Sequence, residues 1–135
     1  MQDCLFCKII AGEIPCHKLY EDERIISFLD IFPVSEGHAL VLPKTHATHL
    51  LETSEEDARA MMDTIKKITP AILKAVGGDG FNLGMNNGVS SGQEVSHTHL
   101  HIMPRRTGVP RLFEKTTVDH AELAVLAERV RELLR

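Results

Sequence analysis

The sequence predicts an α+β fold: an antiparallel sheet of about five short strands packed with one long helix, plus short N-terminal and C-terminal helices. Three observations carry that prediction. Between Ser54 and Val76 apolar residues recur at three- and four-residue intervals, the period of a helix that buries one face. Elsewhere, short apolar or β-branched runs are separated by acidic residues, Gly and Pro, the pattern of strands joined by tight connections. At 135 residues and 43% hydrophobic content the chain suffices for one core and is too short for two ordinary ones. Helix and strands must therefore share that core.

Taken in order, Leu5, Phe6, Ile9 and Ile10 lie on one face of a short helix, which Gly12 and Glu13-Ile14-Pro15 should end. Strands are expected at 17–20, 25–29 and 38–42, with Pro33 and Gly37 as breaks. The long helix should open on a capping box of Thr53 with Glu56. Its buried face would carry Ala58, Met61, Met62, Ile65, Ile68, Ile72 and Val76. Pro70 is placed to kink it and Gly77-Gly78 to stop it. Two more strands, 81–86 and 98–103, flank a loop rich in Asn, Gly and Ser. A last helix over about 119–134 repeats the capping signal with Asp119 and Glu122 and aligns Leu123, Leu126, Val130 and Leu133. With no repeat, low-complexity tract or linker, residues 1–135 read as a single domain whose motif-bearing core spans about 4–106.

The net charge of −4 and isoelectric point near 6.0 argue against nucleic acid as a partner; Arg105, Arg106 and Arg111 make only a local patch. No basic leader precedes an apolar run, and no stretch approaches the roughly 20 apolar residues of a bilayer span. The expectation is a cytoplasmic protein without membrane contact. Three cysteines are an odd number without an export signal, which argues against a disulfide framework and for considering a thiolate site.

The segment His97-Thr98-His99-Leu100-His101-Ile102-Met103 alternates with period two. On a strand the imidazoles share one face, and Thr98, Leu100 and Ile102 the other. The middle ring then sits between two neighbours able to orient it or supply protons. A neutral imidazole is a competent nucleophile toward phosphorus, and an ordinary pKa of about 6.5 leaves it largely unprotonated at neutral pH. A merely polar strand face, or three histidines clasping a metal, would show the same alternation. The loop before it and Pro104-Arg105 after it favour catalysis. That loop, Asn86-Asn87-Gly88-Val89-Ser90-Ser91-Gly92-Gln93, offers amides and hydroxyls suited to phosphate oxygens, although such clusters also mark ordinary turns.

These residues resemble the histidine triad family, whose signature is His-φ-His-φ-His-φ-φ with φ apolar. The resemblance is carried further by Cys4-Leu5-Phe6-Cys7-Lys8-Ile9-Ile10 with Glu13-Ile14-Pro15, by Phe28-Leu29-Asp30-Ile31, by Gly37-His38-Ala39-Leu40-Val41-Leu42-Pro43-Lys44, and by Asn86, Gly88 and Gly92-Gln93. Within the family the chain looks most like the nucleotide-binding branch of purine nucleoside phosphoramidate hydrolases, usually homodimers that share an antiparallel sheet. The resemblance implies that His99 attacks the α-phosphorus of a purine nucleotide, forming a nucleotidyl-histidine that water then hydrolyses. It further implies that His38 and His101 orient the nucleophile and that Asp30 accepts hydrogen bonds from the ribose hydroxyls. Phe6, Ile9, Phe28 and Ile31 would line the base slot, while Asn86, Gly92 and Gln93 would hold the phosphate or leaving group. His97 belongs to the same catalytic set. On the residues alone, Phe28 and Ile31 could equally be core, Asp30 a strand end and His38 a structural histidine.

Two positions depart from the family's pattern. Thr98 replaces an apolar residue, so its buried hydroxyl needs a partner. Glu94 stands where close relatives often carry a serine that assists the leaving group, a donor role that an ionised carboxylate cannot play.

Cys4 and Cys7 are a lone Cys-x-x-Cys, half of an ordinary zinc ligand set. Resemblance to some bacterial members implies that His46 and His97 complete it as a structural zinc site, which would remove His97 from proton transfer. Two reduced thiols packed as small apolar groups, or a redox pair, are the alternatives. His17, His49, His120 and Cys16 read as surface or packing residues. The competing functions are a dinucleoside polyphosphate hydrolase and a nucleotide-binding regulatory module with incidental catalysis. A sugar-phosphate nucleotidyltransferase is disfavoured, because that branch resembles His-Pro-His where this chain has Thr98.

Overall fold

The computed structural model describes residues 3–135. Helix α1 (Leu5–Ile10) leads into strands β1 (Lys18–Glu21), β2 (Ile25–Leu29) and β3 (Ala39–Pro43), the long helix α2 (Glu55–Val76), β4 (Gly80–Gly84), β5 (Leu100–Arg105) and α3 (His120–Leu134). The five strands form one sheet in the order β1-β2-β3-β5-β4, every neighbouring pair antiparallel. The α+β expectation holds.

Alternation along the central strands sorts side chains to two cores. Ile25, Leu29, Ala39, Val41 and Ile102 face Met61, Ile65, Ile68 and Ile72 of α2 and Leu123, Ala127 and Val130 of α3. On the opposite face Ile26, Phe28, Leu40 and Leu42 pack with Cys4 and Phe6. Because both faces are covered, β2 and β3 are buried at every position. Each fully buried Ile or Leu contributes on the order of 1.5–3 kcal/mol, and truncating Ile68 to alanine at the α2–sheet contact would cost about 2–5 kcal/mol.

Several boundaries differ from the sequence expectation, each for a local reason. Ser54, not Thr53, caps α2, accepting the Asp57 N–H at 3.1 Å. The Thr53 hydroxyl is instead 2.7 Å from that of Thr98 and donates to the His49 carbonyl at 3.0 Å, which supplies the partner Thr98 requires. Asp119 caps α3 as expected, accepting from Ala121 N–H at 2.8 Å. Strand β4 ends at Gly84 and not at Asn86, releasing Met85 and Asn86 to a cavity wall. Strand β5 starts at Leu100 and not at Thr98, because Thr98 N–H donates to Ala47 O at 2.8 Å and His97 N–H to Val95 O at 2.8 Å, away from the ladder. Pro70 lies inside α2 on its exposed side, where water can satisfy the carbonyl that its missing N–H leaves free. Among the described residues no helix is long and apolar enough to cross a membrane.

Candidate active site and metal centre

A cavity of about 530 Å³ opens on the sheet face opposite α2, between α1, the end of β2, the start of β5 and the segment after β5. Phe6, Ile9, Phe28 and Ile31 form apolar wall, Phe6 meeting Phe28 edge to face at 5.6 Å between centroids. Asp30, Asn86, Gly92, His38, His99 and His101 also line it. The fold thus gathers ten of the expected residues around one space.

The backbone fixes the protonation pattern of the histidines. His99 is 7% exposed, and its Nδ1 lies 2.7 Å from the His97 carbonyl. A carbonyl only accepts, so Nδ1 carries the proton and Nε2 holds the free lone pair. Burial pushes the His99 pKa below its ordinary value, opposed by that hydrogen bond and by the carboxylates of Asp30 and Glu94, so the ring is neutral at pH 7. The Phe6 ring meets it edge to face at 5.0 Å.

A second chain of bonds fixes His101. The Val34 N–H donates to His38 Nδ1 at 3.0 Å, so neutral His38 is protonated on Nε2. That nitrogen donates to His101 Nδ1 at 2.8 Å, leaving the His101 proton on Nε2. The Asp30 carboxylate is 3.6 Å from His38 Nε2. Burial lowers the pKa of His38, with Asp30 opposing; burial followed by the charges of His99 and His101's partner His38 pushes His101 down to about 4. The cavity therefore sets a neutral imidazole with a free Nε2 lone pair beside a neutral N–H donor.

His97 sits with the two cysteines, as the zinc expectation has it and not in the catalytic set, while Gln93 occupies a different place from the one expected. His97 is fully buried and does not line the cavity: its ring turns toward the two cysteines, because α1 covers the start of the histidine segment. Gln93 is 9% exposed and its amide is already engaged. Its Oε1 accepts from Gly88 N–H at 2.7 Å, and its Nε2 donates to the carbonyls of Thr48 at 2.6 Å and Val95 at 2.9 Å. With those bonds made it braces the loop and has no polar atom left for a phosphate. Asn86 Nδ2 donates to Gly92 O at 3.3 Å.

The donor atoms of Cys4, Cys7, His46 and His97 all lie within 4.8 Å of one another. His97 Nδ1 is 3.4 Å from Cys4 Sγ, 3.6 Å from Cys7 Sγ and 3.2 Å from His46 Nδ1, and Cys7 Sγ is 3.3 Å from His46 Nδ1. Metal–nitrogen bonds of about 2.0 Å and metal–sulfur bonds of about 2.3 Å at the tetrahedral angle require N–N edges of ~3.3 Å and N–S edges of ~3.5 Å. The four donors fit that polyhedron. His97 Nε2 donates to Pro43 O at 2.8 Å, which turns the unprotonated Nδ1 inward as a metal ligand requires, and Cys7 N–H reaches Cys4 Sγ at 3.3 Å.

Sequence reasoning missed Phe113 and Lys115, which line the cavity; Cys16, expected as a surface or packing residue, lines it too. Burial raises the Cys16 pKa, so it is a packing thiol. Phe113 and Lys115 lie in a segment without periodicity, and no sequence signal points to them. His17 and His120 meet at 3.0 Å through Nε2 and Nδ1, joining the approach to β1 to the first turn of α3.

Comparison with known proteins agrees with this geometry. The family model of the HIT domain matches residues 11–108. Adenylylsulfatase HINT3 of Arabidopsis thaliana is 51% identical over 77% of this chain, a match that spans 53% of that longer protein. Adenosine 5'-monophosphoramidase hnt1 of Schizosaccharomyces pombe is 46% identical over 76% of this chain and 74% of its own. The crystal structure of a Zn-bound histidine triad family protein from Mycobacterium smegmatis superposes with a TM-score of 0.89 at 35% identity, covering 98% of this chain and 94% of that one. With the histidine segment, the sheet order and these matches in agreement, the chain belongs to the HIT domain, or histidine triad, family.

Proposed function

We propose that this protein hydrolyses purine nucleoside phosphoramidates or related nucleotides at the α-phosphorus through a covalent nucleotidyl-histidine at His99. The observation that carries the reading is the 2.7 Å contact between His99 Nδ1 and the His97 carbonyl, which commits the lone pair to Nε2. The names of the two curated relatives support the substrate class, since each describes cleavage of an adenylyl derivative. The base would lie against Phe6, Ile9, Phe28 and Ile31. Asp30 would accept from the ribose hydroxyls, its Oδ1 being already anchored by Phe32 N–H at 2.8 Å. Asn86 and the Gly92 backbone would meet phosphate oxygens.

In the first step the His99 Nε2 lone pair forms a P–N bond as the bond to the leaving group breaks. The pair of that bond leaves with the departing atom, toward which His101 Nε2–H donates a hydrogen bond. In the second step water attacks phosphorus as the P–N bond breaks, its electron pair returning to His99 Nε2 and the water's proton passing to solvent, and the monophosphate departs. His38 holds the His101 tautomer and is a positioning residue.

Cys4, Cys7, His46 and His97 would hold zinc, a reading supported by their tetrahedral spacing and by the zinc-bound neighbour. With four protein ligands the ion supplies structure and not a reaction site. Its ligands tie α1, which carries Phe6, to the residue whose carbonyl orients His99. We also read the chain as a homodimer: β4 is an edge strand and exposes Phe81 and Leu83, which a second copy would cover. Analytical ultracentrifugation giving only the monomer mass would end that part.

The test of the chemistry is to incubate protein with adenosine 5'-phosphoramidate and quench within the first turnover. Wild type should carry covalent nucleotide and release the monophosphate, and His99→Ala should do neither. Equal turnover by both proteins would sink the mechanism.

A further inference from the structure

The permanent charges lining the cavity, among the described residues, are the carboxylates of Asp30 and Glu94 and the ammonium of Lys115. Lys115 is the only cation among them once the histidines are neutral. It sits on the segment between β5 and α3, which crosses back to the cavity and is fixed there. Thr116 donates its N–H to Pro33 O at 3.0 Å and its hydroxyl to the same carbonyl at 2.6 Å. Two residues before Lys115, Phe113 lies under the Arg105 guanidinium at 4.7 Å, and Arg105 Nη1 donates to Leu112 O at 2.7 Å. Lys115 is ion-paired with Glu94, which occupies the loop between Gly92 and the histidine segment. Both side chains remain more than half exposed, so the pair can open without uncovering buried surface.

We propose that Lys115 is a specificity-determining residue that favours leaving groups departing as anions, with Glu94 as the counter-ion it holds until substrate arrives. The inference rests on the reading of His99 as nucleophile. The reason lies in where the electron pair goes. When His99 Nε2 bonds to phosphorus and a sulfate leaves, the P–O pair departs on the sulfate oxygen, which needs no proton and gains a full negative charge. When an amine leaves, its nitrogen takes up a proton from solvent water as the P–N bond breaks and departs neutral. An ammonium lining the same cavity as His101, the donor assigned to the departing atom, stabilises the first transition state and does little for the second. Without Lys115 the departing sulfate would meet two carboxylates and no cation. Glu94 cannot donate to an amine while ionised, and Lys115 holds its pKa below the ordinary range. The pair thus offers no neutral donor to an amine, but holds a cation that an anionic group can claim.

The experiment compares wild type, Lys115→Met and Lys115→Arg on adenosine 5'-phosphosulfate and adenosine 5'-phosphoramidate. Lys115→Met should lower kcat/KM for the phosphosulfate about tenfold and for the phosphoramidate less than about threefold, the scale of one screened ion contact. Lys115→Arg should restore most of the phosphosulfate rate, and raising salt should narrow the gap between wild type and Lys115→Met. Equal losses on both substrates, or an unchanged phosphosulfate rate, overturn the inference while leaving the His99 mechanism standing. If wild type turns over neither substrate, the mechanism fails. Calorimetric titration of the same two compounds then decides the charge contact, since an affinity loss for the phosphosulfate no larger than for the phosphoramidate overturns it.

Discussion

Replacing Gly37 with alanine probes the turn that presents His38 to the cavity. Gly37 has a φ of +86°, and a Cβ added there would lie 3.0 Å from Val76 Cγ1, 3.2 Å from Ile72 Cγ2 and 3.2 Å from Pro104 Cγ. Two costs follow. A left-handed backbone costs a residue with a Cβ about 1–2 kcal/mol. The contacts are well inside the 3.5–4.0 Å optimum for carbon pairs, and Ile72 is fully buried, so the neighbours yield only by shifting α2 against β5. Overpacking of that kind costs about 1–3 kcal/mol, for a total of about 3 kcal/mol. Gly12→Ala is the matched control, because Gly12 has a φ of +81° with nothing within 4 Å of an added Cβ; it should lose only the first part, about 1 kcal/mol. Urea denaturation of both variants at unchanged slope reads the difference directly, with ~1–3 M of midpoint shift expected for the larger loss. The turn also contains the Val34 N–H to His38 Nδ1 bond at 3.0 Å, so Gly37→Ala should lower kcat/KM where Gly12→Ala does not. A Gly37→Ala loss equal to or smaller than that of Gly12→Ala would refute the steric reasoning.

Metal analysis of freshly purified wild type should return one zinc per chain, and Cys4→Ser should return much less; wild type without zinc would remove the metal reading. Acid should destabilise the protein through His101. Its folded pKa of about 4 lies below the unfolded value of about 6.5, so the unfolded chain binds the extra proton between those limits. Stability is then full above about pH 6.5 and falls by up to about 3 kcal/mol as pH drops toward 4. The slope should be shallower in His101→Asn, and identical slopes in the two proteins would contradict the assignment. Gln93→Leu should cost about 2–4 kcal/mol, because it strips partners from Gly88 N–H and from the Thr48 and Val95 carbonyls; a variant of wild-type stability with only a raised KM would return Gln93 to phosphate binding.

The elements legible in the sequence were those whose signal is local. The periodicity of α2 named Met61, Ile65, Ile68 and Ile72 as its buried face, and they are buried, whereas Met62 is exposed. Period-two alternation put His97, His99 and His101 on one side of the chain. What it could not say is that this side meets two environments: α1 covers His97, while His99 and His101 open on the cavity. Thr53 and Ser54 both suit a helix cap, and the choice fell to Ser54 because Thr98, 45 residues later in the chain, takes the Thr53 hydroxyl. Gln93 has the chemistry of a phosphate ligand, yet Thr48 reaches it from an equally remote point. Lys115 and Phe113 owe their place to tethers at Pro33 and Arg105, which no spacing within 107–118 encodes.

The acceptor that orients His99 is a main-chain carbonyl, and that has a consequence for how the site can change. An orienting aspartate or glutamate can be lost to a single codon and is neutralised by acid. The His97 carbonyl has no ionisable proton and is present whatever amino acid occupies position 97. A His97→Asn chain would give up its imidazole and still offer the same oxygen to His99. The His99 tautomer is therefore inherited from the path of the backbone, and drift in the surrounding side chains can reshape the cavity without first moving the lone pair off Nε2.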